Sequence, residues 1–168
     1  FYFFKMNIPS KEECIEILRK NSVPDNIIAH TKKVCEFSLK VAGILEKKGI
    51  KVNKNLIEAA ALLHDIKKLE PGEHEIEGAD YIASLGYPEV GILIKKHGLK
   101  HSFHDEFTPK TWEEKVIFYS DKRVKKDKIV SLDERFEYIK QRYKREIVEK
   151  EIELIKNIEK ELLGNEKL

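Results

Sequence analysis

The chain has 168 residues, 41% apolar and 37% charged. That is enough for one domain with a substantial core, and the apolar content rules out a chain disordered by composition. Lys and Arg total 32 against 30 Asp and Glu, a formal net charge of +2, so the chain lacks the cationic excess of a protein that coats nucleic acid.

In chain order, Phe1–Lys5 is apolar but too short for the core of a secretory signal. Met6 reads as a natural start, residues 1–5 as an N-terminal extension and 6–168 as one domain. Ser10-Lys11-Glu12-Glu13 is a capping-box pattern that opens a first helix with Cys14, Ile17 and Leu18 on one face. Val23-Pro24-Asp25 breaks it, and a second helix is predicted over 25–48, ended by Gly49. A third, capped by Asn53 or Asn55, carries Ala59-Ala60-Ala61-Leu62-Leu63, apolar on every side and therefore expected in the middle of a bundle. Pro71-Gly72 stops the chain firmly, and two shorter helices follow over about 73–85 and 88–96. Residues 98–110 read as a loop. Thr111 opens a helix to about 126, and Ser131 opens a long last helix over about 132–163 with Phe136, Ile139, Tyr143, Ile147, Ile155, Ile158 and Leu162 spaced three or four apart. That stripe suits either packing onto the bundle or a dimer contact. No period-2 strand with a hairpin turn stands out. The expected fold is all-α, a single bundle of six or seven helices. Cys14 and Cys35 have no zinc-finger spacing and read as reduced core thiols of a cytoplasmic protein, and no stretch approaches the roughly 18–20 apolar residues of a membrane span.

The chemistry sits in a set of histidines and aspartates. His64-Asp65 directly follows the apolar Ala/Leu run, and ionisable side chains are seldom buried without partners. A pair hydrogen-bonded to each other and to backbone would satisfy the dipeptide alone. So would a divalent cation, which neutralises a carboxylate and fixes an imidazole tautomer. The wider spacing favours the cation. His30 lies early in the second helix, and Asp121 follows the apolar stretch Ile117-Phe118-Tyr119, so three helices each bring a ligand-type residue from apolar surroundings, as in metal sites built inside helical bundles.

The set His30, His64-Asp65 and Asp121 matches the H…HD…D signature of the HD-domain superfamily of metal-dependent phosphohydrolases, and the chain resembles that superfamily over about residues 22–145. Leu62-Leu63-His64-Asp65-Ile66-Lys67-Lys68 is similar to the HDIGK form of the central motif, with Lys67 in place of its glycine. His74-Glu75-Ile76-Glu77-Gly78-Ala79 resembles the H-x-x-x-G-A element of small members, and Ser120-Asp121-Lys122 the A-D-K around the last aspartate. The resemblance implies one divalent ion held by His30, His64, Asp65 and Asp121, with Mn, Fe, Co, Ni, Mg and Zn not distinguished. In binuclear relatives further histidines hold a second ion and the motif aspartate bridges. His74 and His97 are then candidates and His101 a weaker one. His74 would otherwise be an exposed residue at a helix start, and His97 a histidine facing a helix dipole. His104 reads as solvated loop.

The implied activity is hydrolysis of a phosphate ester of a nucleotide or related small phosphomonoester. Asp65, Lys68 and His97 are the candidate catalytic groups, and Lys68, Lys122 and Arg123 the candidate phosphate contacts. Hydrolysis of dinucleoside polyphosphates and a non-catalytic nucleotide-binding module are the alternatives. The expected partner is the small substrate, with no membrane and no nucleic-acid polymer, the protein being a monomer or homodimer.

Overall fold

A computed structural model describes residues 5–168, so residues 1–4 of the expected extension lie outside it. The described residues form eight helices and one two-stranded ribbon. Helix α1 (Lys11–Lys20) starts where the Ser10 side chain accepts the Glu13 amide, 3.1 Å away, and buries Cys14 and Leu18. Helix α2 (Asp25–Lys47) runs 23 residues from Pro24 to a turn at Gly49, whose φ of +81° suits glycine. Its buried positions His30, Val34, Phe37, Val41 and Leu45 keep the helical spacing of one wide face.

Helix α3 (Lys54–Leu63), capped by the Asn53 side chain at Leu56 N, is the centre of the molecule. Every residue from Ala59 to Leu63 is buried, and α1, α2, α5 and α6 pack around it. The small alanines let these neighbours approach closely. The chain leaves α3 at His64 and turns repeatedly before α4 (His74–Ser84) and α5 (Pro88–Lys95), which form a tight antiparallel pair. Gly91 makes that pair possible: a Cβ there would stand 2.8 Å from the Ala79 carbonyl oxygen.

Helix α6 (Trp112–Lys122) opens with a complete capping box, Thr111 accepting from Glu114 N and Glu114 accepting from Thr111 N. It ends at Lys122, four residues short of the expected boundary. Residues 124–129, expected to hold no hairpin, pair as β1 (Val124–Lys125) and β2 (Lys128–Ile129) around Lys126, a non-glycine residue at φ +56°.

The last helix is the main correction to the expected fold. It is not continuous over 132–163 but divides into α7 (Leu132–Tyr143) and α8 (Glu149–Leu163), with Lys144 in the left-handed conformation and residues 145–148 crossing between them. This division takes the helix count to eight. Ile155, Ile158 and Leu162 of α8 are buried against this chain's own α2 and α6.

Candidate metal centre

The end of α3, the first turns of α2 and the last turn of α6 meet at one point, and α4 and α5 close it from the other side. His64, at the end of α3, is fully buried, and Asp65 is 2% exposed. His30 Nε2 lies 3.1 Å from Asp121 Oδ1 and 3.6 Å from Asp65 Oδ2. His64 Nε2 lies 3.3 Å and 3.5 Å from the same two oxygens. The other Asp65 oxygen, Oδ1, faces His74 Nε2 at 3.4 Å and His97 Nε2 at 3.7 Å. Two sets of possible ligands therefore exist, His30, His64, Asp65 and Asp121 on one side and Asp65, His74 and His97 on the other. In each set the ligand atoms lie within 4.8 Å of one another, and Asp65 belongs to both with a different oxygen.

The histidine tautomers follow from their outer partners. His30 Nδ1 donates to the Lys126 carbonyl at 2.6 Å and His64 Nδ1 to the Ala61 carbonyl at 2.7 Å, while His97 Nδ1 donates to the Ile94 carbonyl. A carbonyl can only accept, so each Nδ1 carries the hydrogen and each Nε2 of a neutral ring turns a lone pair toward the carboxylates. The β1–β2 turn has its use here, since it supplies the Lys126 carbonyl that orients His30.

Lone pairs facing carboxylate oxygens need positive charge between them. His64 Nε2 is fully buried yet forms no directed hydrogen bond among the described residues, and such an orphan calls for an explanation. The titration tendencies agree. Burial opposes charge on His64, but Asp65 and Asp121 outweigh it and raise its pKa. Burial likewise opposes charge on Asp65 and Asp121, yet His64 and Lys68 hold Asp65 well below the usual carboxylate range, and His30 and His64 do so for Asp121. His97 goes the other way: burial, reinforced by His64 and His74, keeps it neutral. Two ionised carboxylates and inward lone pairs form a donor set that a divalent cation fits, with outer hydrogen bonds of the kind that orient metal-bound imidazoles.

The cluster lies at the waist of a cleft with two lobes. One lobe, about 500 Å³, is bounded by His30, Leu69, Lys126, Tyr138 and Arg142. The other, about 330 Å³, is bounded by His74, His97, Lys100, Lys122 and Arg145. Asp65, Lys68, Arg135 and Tyr143 line both. Lys68 Nζ donates to Asp65 Oδ2 at 3.0 Å, and although burial disfavours its charge, Asp65 and Asp121 pull its pKa above the ordinary lysine value. Lys122 borders the second lobe, but its ammonium is tied to the His97 carbonyl, and burial, only partly offset by Asp121, lowers its pKa to about 8.

The other candidates lie elsewhere. Arg123 leaves the cluster: its Nε donates to the Val130 carbonyl at 2.7 Å, and its other nitrogens go to the Tyr119 hydroxyl and the Leu168 carbonyl. Two residues beyond Asp121 on a helical turn, it faces the opposite side. His101 bonds Glu73 Oε1 at 2.8 Å and belongs to neither ligand set, and His104 is exposed. Arg135 lies at the waist; the run Ile129–Phe136 that contains it resembles stand-alone members of the superfamily, but sequence reasoning gave it no role at the site. The available signal was its register, three residues after Leu132 and four before Ile139, a cation in the packed stripe of α7.

Residues 27–125, more than half of the chain and inclusive of all four residues of the first set, match the HD domain. The chain belongs to the HD-domain family. An uncharacterized protein of Methanocaldococcus jannaschii is 28% identical over 136 residues, 73% of this chain and 80% of that protein. Two proteins named tRNA (cytidine(56)-2'-O)-methyltransferase are also similar. The one from Picrophilus torridus is 26% identical over 74% of this chain, and the one from Thermoplasma volcanium 29% over 76%. The matches span 39% and 40% of those two proteins, so this chain corresponds to less than half of their length. A crystal structure described as a predicted HD superfamily hydrolase, from an uncultured Thermotogales bacterium, superposes with a TM-score of 0.53 at 22% identity, covering 91% of this chain and 87% of that one. That likeness shows a shared HD fold. No helix of the described residues is long and apolar enough to cross a membrane.

Proposed function

We propose that this HD-domain protein is a metal-dependent hydrolase acting on the phosphate ester of a nucleotide or related small phosphomonoester. The observation that carries the reading is the pair of ligand sets that share Asp65 and open onto a cleft with the Lys68 cation beside them. His30, His64, Asp65 and Asp121 would hold one divalent ion, and Asp65, His74 and His97 a second. Such ions, when bound, polarise a phosphoryl oxygen and bring the pKa of a water toward neutrality.

The chain's own groups do the rest. Lys68, held cationic by Asp65 and Asp121, offers charge to a phosphoryl oxygen at the waist. Asp65 fixes both ligand sets and orients the attacking water. His97 has its one ring hydrogen committed to Ile94, so it serves as a ligand rather than as the acid for the leaving group. His74, 28% exposed in its side chain, is the most exposed histidine of the two ligand sets and the better placed to meet the leaving oxygen if no second ion is bound. The two lobes favour a second reading, hydrolysis of a dinucleoside polyphosphate, because they offer room on both sides of a phosphorus at the waist.

The test is turnover by purified protein loaded with Mn, Co, Ni or Mg. The panel comprises nucleotide monoesters, dinucleoside polyphosphates and, given the two relatives named as tRNA methyltransferases, phosphate esters at RNA ends. His64→Ala and Asp65→Ala should each lower activity beyond the roughly 10–100-fold that loss of an outer-sphere partner costs. Activity that survives both substitutions contradicts the proposal.

A further inference from the structure

We propose that Arg135 is the residue by which this protein grips the phosphate oxygens of its ligand. The assignment rests on the phosphate-ester reading above for the class of ligand. It rests on observations of its own for the site.

Arg135 is 6% exposed. It stands on α7 within the stripe that packs inward, where an arginine is unusual. Its Nε is buried and has no hydrogen-bond partner among the described residues. Two other arginines of the region are matched, Arg123, which approaches Glu159 at 3.7 Å and donates three hydrogen bonds, and Arg145, which pairs with Glu151, while Arg142 is exposed to solvent. Arg135 pairs with no carboxylate among the described residues, and the only group found over its charge is the Tyr138 ring, 5.3 Å from Cζ. The carboxylate that shares the waist with it, Asp65, is already engaged by Lys68 and by the inward-facing histidines.

A guanidinium does not shed its proton under these conditions. Burying it without an anion is unfavourable. The missing counter-charge therefore belongs to something that enters the cleft, and Arg135 lines both lobes at the waist, next to Asp65 and Lys68. Its planar fork of N–H donors matches two oxygens of one phosphate. Arg135 lies beyond residues 27–125, so the HD match does not include it. Arg135 and Lys68 line the same two lobes, Arg135 from α7 and Lys68 from the turns that follow α3.

The experiment uses inorganic phosphate as the probe and needs no turnover. Thermal unfolding and titration calorimetry of the full chain are compared in phosphate and in chloride at equal ionic strength, for the wild type, Arg135→Met and Arg135→Lys. Phosphate is expected to raise the wild-type Tm. Arg135→Met should lose that shift and bind phosphate about tenfold or more weakly, as expected for a charge-assisted pair, and Arg135→Lys should recover part of it. Without phosphate, Arg135→Met should unfold at the wild-type Tm or above, because it removes an unpaired buried cation. A merely structural arginine would lower it. Should Arg135→Met fail to fold, Arg135→Gln carries the same comparison.

An equal phosphate shift in wild type and Arg135→Met, or no shift in the wild type, overturns the proposal. The ester assay on the same preparations separates the two claims. Arg135-dependent phosphate binding with no hydrolysis sinks the hydrolase reading alone. Hydrolysis with unchanged KM and kcat in Arg135→Met sinks the Arg135 assignment alone.

Discussion

At the scale of single residues, side chains are used here according to what remains for them after their outer contacts are made. His30, His64 and His97 each give one ring hydrogen to a main-chain carbonyl and, as neutral rings, have only a lone pair left for the centre. Each guanidinium nitrogen of Arg123 has a hydrogen-bond partner, whereas Arg135 Nε has none among the described residues. The thiols are a different case. Burial raises both Cys14 and Cys35 from the ordinary value of 9.0 to about 12, and Glu58 adds to it. A thiol reagent at pH 8 should therefore leave both unlabelled in the native protein and label both in denaturant, and rapid native labelling would contradict their placement. The same shift has a sign. Between pH 9 and 12 the unfolded chain loses thiol protons that the folded chain keeps, so their contribution to stability is complete below about pH 9 and falls as pH rises toward 12. Urea midpoints measured across that interval should decline more steeply in the wild type than in a Cys14→Ala, Cys35→Ala double variant.

At the scale of elements, the site depends on where helices start and stop. Asp121 is in the last turn of α6, whose start is fixed by both bonds of the Thr111–Glu114 capping box. Thr111→Ala should cost about 1 kcal/mol in urea unfolding and leave metal affinity intact. Lys144 holds a left-handed φ of +48° between α7 and α8, and Lys144→Gly should stabilise the fold by about 1 kcal/mol. A destabilised Lys144→Gly variant would mean that the lysine side chain matters more than its backbone. Gly91→Ala, whose Cβ would meet the Ala79 carbonyl at 2.8 Å, should cost about 1–3 kcal/mol.

This scale is also where sequence and structure part. Four of the eight starts among the described residues were legible because Ser10, Asn53, Thr111 and Ser131 cap through local bonds to amides three residues on. The break between α7 and α8 was not. Tyr143, Ile147, Ile155 and Ile158 keep a spacing compatible with a helix straight through it, and a lysine, not a glycine or proline, takes the turn. The β1–β2 ribbon was hidden for the same reason, its turn being made by Lys126 and Asp127.

At the scale of the whole molecule, the fold is a buried α3 with other elements arranged around it so that chain-distant residues meet at its end. Convergence of His30, His64, Asp65 and Asp121 was legible because each is a polar group beside an apolar run, and the family's spacing joins them. The placement of Arg135 was not, since Lys and Arg make up 32 of the 168 residues and nothing local separates a buried arginine from a solvated one. Only the folding of α7 over the cleft does that. Because ions held by the native chain and not by the unfolded one stabilise by mass action, divalent metal should raise Tm and a chelator should lower it. The central claim, that Asp65 joins two ligand sets, is tested most directly by counting ions per chain after equilibrium dialysis against a divalent metal. The account predicts two for the wild type, one for the double variant His74→Ala, His97→Ala, and none retained by Asp65→Ala. Metal content that is unchanged when Asp65 is removed would contradict it.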